Sequence, residues 1–125
     1  MTNSEMVFEY LSEQGLRPEK RDDIIIFKYQ MRTFAYFIDD DDETFFRLAM
    51  PGIFEMTDDN RMAVMEAMNE VNNRLKVVKV YAPDEHVWAA TEILIDSTPV
   101  LDDMVPRLLN ILMGAREKFY AALGV

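Results

Sequence analysis

The residues able to do chemistry are few, and they do not assemble into a set. His86 is the sole histidine and there is no cysteine. A general base needs a positioned partner, and a zinc site needs several nitrogen or sulfur ligands. Asp84 and Glu85, beside His86, have the character of turn residues, so His86 is expected to open a strand without reacting. The run Asp39-Asp40-Asp41-Asp42-Glu43 lacks the pattern of a calcium loop, which alternates its ligands and places Gly at the sixth position. Thr44 stands where that Gly belongs. Such a run fits a solvated turn, with opportunistic divalent binding as its other use. There is no Ser-His-Asp order, nucleophile elbow or phosphate-cradling loop, and only four glycines to build one. No catalytic, cofactor-binding or metal-binding residue follows, and the protein is expected not to be an enzyme.

The next candidates are binding residues. Met62, Met65 and Met68 recur every three residues beside Val64 and Val71, which widens the apolar arc of their helix beyond one packing surface. Flexible thioethers suit adaptable binding surfaces, and they also fill irregular cores. Trp88, the only tryptophan, lies with Ala90 and Leu94 on one side of a strand whose other side holds Val87, Ile93 and Ile95. Met62, Met65, Met68 and Trp88 are therefore the candidate dimer or partner surface. A small-molecule pocket needs convergent polar groups, and Arg47, Thr91 and Glu92 are its only visible material.

Composition bounds the rest. At 125 residues, half of them apolar, residues 1–125 are expected to form one domain with its own core. The absence of cysteine excludes disulfide frameworks and thiol nucleophiles and suits a reducing cytoplasm. No apolar run approaches a bilayer span, and residues 1–15 are acidic rather than signal-like. Acids outnumber bases 23 to 13, giving a net charge of −10, and the bases are scattered. Nucleic acid and anionic membranes draw affinity from clustered Lys and Arg, so neither is expected as a partner.

The elements that must position these residues follow from period. Ser4 is a plausible helix N-cap and Gly15 a stop. Arg17 to Asp23 has the polarity of a loop. Residues 24–29, 32–39 and 44–50 have β-branched, aromatic or alternating character, and Pro51-Gly52 is expected to end the third strand. Asp58 or Asp59 is expected to cap a helix over 61–73. Alternation of Val78, Val80 and Ala82 with Val77, Lys79 and Tyr81 predicts a strand, and Pro83-Asp84-Glu85 turns it into another over 86–96. Pro99 opens a long last helix, with Pro106 predicting a late start or a kink. The order is α-β-β-β-α-β-β-α, an α+β single domain with a five-stranded antiparallel sheet. The strands alternate poorly, so the sheet's second face should be at least partly covered.

This order, with the junction Asn69-Glu70-Val71-Asn72-Asn73-Arg74-Leu75 leading into a strand and the closing Phe119-Tyr120, resembles the YbjN family, which shares its fold with type III secretion chaperones. An aromatic usually follows the asparagines in that pattern, where this chain has Arg74-Leu75. The resemblance implies a five-stranded sheet with helices against it, frequent homodimerisation, and a non-enzymatic role in binding other proteins. The expected function is thus a chaperone-like or regulatory protein-binding module, a cytoplasmic homodimer with an unidentified protein partner. The alternative is a small-molecule-binding regulatory domain.

Overall fold

Strands β2 (Ile24–Tyr29) and β3 (Arg32–Phe37) are joined by Gln30 and Met31 alone, both at positive φ (49° and 65°). A two-residue hairpin needs left-handed residues there to match the twist of its strands. The computed structural model describes residues 1–125. Around this hairpin stand β1 (Glu19–Arg21), β4 (Phe45–Glu55), β5 (Val78–Tyr81) and β6 (His86–Leu94), with helices α1 (Asn3–Glu13), α2 (Arg61–Arg74) and α3 (Leu101–Leu123). The sheet is antiparallel throughout, in the order β1-β2-β3-β4-β6-β5.

The α+β class and the order of the expected elements hold, but the sheet has six strands rather than five. The added strand is Glu19–Arg21, in the segment expected to be a loop. All three of its side chains are exposed and polar, so no hydrophobic period marks it. A short charged strand is a common way to blunt a sheet edge. Pro51-Gly52 does not end its strand either. Gly52, at φ 58°, sits in a bulge between Met50 and Phe54, and β4 resumes pairing with β6 as far as Glu55. Glycine relieves the steric cost of that left-handed residue.

Helix ends also differ from expectation. Thr2, not Ser4, caps α1: its hydroxyl accepts from the Glu5 amide at 3.2 Å, and the Glu5 carboxylate returns to the Thr2 amide at 3.4 Å. This is a capping box, written Thr-x-x-Glu in the sequence. The N-cap of α2 is Asn60 rather than Asp58 or Asp59; its side chain accepts from Thr57 N instead of capping the helix. Helix α3 begins at Leu101 and runs through Pro106, which lies within the second turn.

One core joins the helices to one side of the sheet. Val7 and Leu11 of α1, Val64, Ala67 and Val71 of α2, and Val105, Leu108, Leu112 and Phe119 of α3 pack with Ile25, Phe27, Phe34, Tyr36, Phe46, Leu48, Val80 and Val87. Register puts those strand residues on a single face, since Ile25 opposes Tyr36, Phe27 opposes Phe34, and Tyr36 opposes Leu48. Burying each large apolar side chain here stabilises the fold by roughly 1.5–3 kcal/mol. Helix α3 is clasped to the bulge: the Tyr120 hydroxyl donates to Ile53 O, and Phe54 meets the rings of Phe119 and Tyr120 edge-on at 5.8 and 6.0 Å.

Candidate functional site: the helix-free face of the sheet

The second face carries no helix. Register assigns it Ile24 and Ile26 from β2, Ala35 and Phe37 from β3, and Phe45, Arg47 and Ala49 from β4. Trp88, Ala90, Glu92 and Leu94 come from β6, and Lys79 and Tyr81 from β5. None of its apolar members belongs to the core cluster. Alternation fails in these strands because this face has an apolar layer of its own, not because helices cover it.

That layer is built on a row of small residues. Ala35 opposes Ala49, which opposes Ala90. Each is at most 1% exposed although no helix lies above it, so larger neighbours on the same face provide the cover. Phe37 of β3 and Trp88 of β6 meet across the intervening β4, ring centroids 5.9 Å apart. Arg47 reaches the other way, from β4 over β6, where Nη2 donates to the Tyr81 hydroxyl of β5. Its guanidinium lies 4.1 Å from the centre of the Phe37 ring and 5.8 Å from that of Tyr81, within the range of cation–π attraction. Lys79 Nζ is 2.6 Å from Glu92 Oε1, while Arg47 Nε stands 3.8 Å from Glu92 Oε2. The result is a half-buried patch of two aromatic rings, a phenol, two cations and one carboxylate.

The structure separates the residues singled out in the sequence. Trp88 lies in this patch, and Arg47 and Glu92 join it. Thr91 does not: it is fully buried on the opposite face and donates its hydroxyl to Leu48 O at 2.9 Å. The polar trio proposed for a small-molecule pocket is therefore split between the two sides of the sheet. Met62 and Met65 stand 71% and 53% exposed on the outer side of α2, whereas Met68 packs against the core. His86 opens β6, exposed, with Nδ1 3.5 Å from Asp84 Oδ1. The acidic run is a turn that also anchors α1. Asp40 accepts from the Ser4 hydroxyl at 2.8 Å and the Ser4 amide at 3.4 Å, a favourable place for a carboxylate at a helix N-terminus. Asp42 binds the amide and hydroxyl of Thr44 at 3.1 and 2.6 Å.

Sequence reasoning missed Phe37 and Tyr81, because one strand's period cannot show which side chains converge across four strands. Asn72 enters the sequence reading only as part of the Asn-rich junction, with no role for its side chain, which holds the main chain of Val80.

A family model for YbjN, described as "Putative bacterial sensory transduction regulator", matches residues 3–124. The fold is similar to that of YbjN from E. coli, solved as "a putative transcription regulator", with TM-score 0.71 and 7% identity over 94% of this chain and 89% of that one. It is also similar to an uncharacterized protein from Methanothermobacter thermautotrophicus, with TM-score 0.64 and 13% identity over 98% and 96% of the two chains. At such identities the likeness is one of fold alone. No curated protein matches the chain.

Proposed function

This chain belongs to the YbjN family, and from that premise we propose that it is a non-enzymatic regulatory module that binds another protein through the helix-free face of its sheet. The observation that carries this reading is the patch of Trp88, Tyr81, Phe37 and Arg47 on a face that no helix covers. Trp, Tyr and Arg are enriched among the few residues that carry most of the binding energy at protein interfaces, and these cluster near the centre of the buried area. The regulatory part of the proposal rests on the description of the family. A chaperone-like role would use the same face.

Self-association is assigned to a different surface. The outer side of α2 exposes Met62 and Met65, and adaptable thioethers suit a contact between copies. The sheet face would bring its Arg47–Lys79 pair toward that of a second copy, which disfavours pairing face to face.

Affinity capture from the native host tests the proposal, using the wild type, Trp88→Glu and Met65→Asp. Partners held by the wild type and by Met65→Asp but lost from Trp88→Glu are the expected result. Partners indifferent to Trp88→Glu, in a variant that still folds, would overturn the assignment of this face.

A further inference from the structure

The chemistry of the partner can be read from the charges at the centre of the open face, on the premise that this face is the binding surface. Lys79 holds Glu92 at 2.6 Å, but Arg47 is left 3.8 Å away. Arg47 Nε is buried with no hydrogen-bond partner, and its Nη2 donates to a neutral phenol. Two cations thus share one carboxylate, and the guanidinium, which suits a bidentate carboxylate, has none in that geometry. This occurs in a chain of net charge −10, where acids are otherwise in excess.

Shape narrows the ligand further. Five clefts of about 220 to 610 Å³ lie between α2 and α3, around α1, or beside β1, and none of these is lined by Arg47, Lys79 or Trp88. A small molecule buries most of its surface in a concavity, and this face offers a broad surface instead. Its apolar area continues to Phe45 and to Leu94, which is 80% exposed. We propose that the open face takes a polypeptide segment presenting a carboxylate between apolar side chains, the carboxylate docking on Arg47 and Lys79 and its apolar flanks covering Phe37 and Trp88. A second copy is disfavoured because its own open face offers the same cationic surplus. RNA is disfavoured because its phosphates need clustered bases along a backbone path, and this face offers only Arg47 and Lys79.

Trp88, the sole tryptophan, is a built-in reporter for the test. The protein is titrated, with its emission followed, against a short peptide of Phe and Leu carrying a single Asp or Glu. The comparison probes are the same peptide with Asn or Gln for the acid, the same with Lys, and a single-stranded RNA oligonucleotide. Light scattering on the free protein reports self-association. The acidic peptide is expected to bind at least about tenfold more tightly than the Asn/Gln peptide, a difference of about 1.4 kcal/mol. That margin should shrink on adding salt and be lost in Arg47→Gln. The exposed-side variant Lys79→Gln should reduce it severalfold, which keeps the test valid if Arg47→Gln unfolds. Equal affinity for the acidic and neutral peptides would overturn this inference yet leave the face as the binding surface, since Trp88 would still respond. Preference for the Lys peptide or for RNA, no response to any probe, or a dimer in the free protein whose Trp88 is shielded would each overturn it.

Discussion

Asn72 holds Val80 by both of its main-chain groups: Nδ2 donates to Val80 O at 2.9 Å, and Oδ1 accepts from Val80 N at 2.7 Å. Val80 lies in β5, the last strand of the sheet, and β6 occupies its other side. The carboxamide therefore stands where the peptide groups of a further strand would stand. Exposed strand edges invite pairing with other chains, and this contact closes the middle of the edge. The Asn-rich end of α2 thereby acquires a physical purpose.

Asn72→Ala should lower the unfolding free energy by about 1–3 kcal/mol, the cost of leaving main-chain groups without a partner. It should also raise the rate of concentration-dependent aggregation. Urea denaturation and time-resolved light scattering measure the two effects. A variant as stable and as well dispersed as the wild type would show that the edge does not need this plug.

Val77 sits at φ 72°, between α2 and β5, rather than in the strand that its alternation predicts. A β-branched residue is strained in that left-handed region, and its side chain is half exposed, so little packing is at stake. Val77→Gly or Val77→Asn should stabilise the fold by about 1 kcal/mol, seen as a higher urea midpoint with an unchanged slope. Loss of stability in both variants would show that the valine side chain outweighs its strained backbone.

The phenol of Tyr36 is pushed up to about 12 from 10.0, first by burial and then by the carboxylates of Asp40 and Asp39. Because the folded state keeps this proton longer than the unfolded chain, the stability involved is complete below pH 10 and is lost as pH rises from 10 to about 12. The loss is roughly 2–3 kcal/mol if the whole difference is expressed. In Tyr36→Phe the phenolate step near pH 12 should vanish from the ultraviolet titration, and stability should fall less steeply across that window. An unchanged titration curve would refute the assignment.

Met65→Asp separates association from folding. Met65 is half exposed, so a carboxylate there stays hydrated and should leave unfolding within about 0.5 kcal/mol of the wild type. Light scattering at micromolar concentration should report a dimer for the wild type and a monomer for this variant. A wild-type monomer would remove the proposed α2 contact.

Much of the architecture could be read in the chain because period reports burial on one side. Val64 and Val71, Leu108 and Leu112, and Phe34 with Tyr36 all lie in the core, as their spacing requires. Three features escaped for physical reasons. Glu19-Lys20-Arg21 forms a strand through backbone pairing alone, and its exposed side chains leave no trace of it. Pro51-Gly52 has the composition of a terminus and makes a bulge instead, because β6 is long enough to pair on both sides of it. The open-face patch draws on β3, β4, β5 and β6, so Phe37, Arg47, Tyr81 and Trp88 converge only once the register between strands is known. Of the candidate surface residues, Trp88 sits in that patch and Met62 and Met65 on an outer helix side, whereas Met68 turns inward.

The row Ala35–Ala49–Ala90 has an engineering consequence. With only methyl groups at these buried positions, the Phe37 and Trp88 rings can lie low over the sheet, with the Arg47 guanidinium over the Phe37 ring. Enlarging any one of these alanines, even to valine, would jack up the rings and pull the guanidinium out of alignment while leaving every side chain of the patch chemically intact. The proposed recognition by this face would thus be tunable from underneath, by residues a bound chain would never touch.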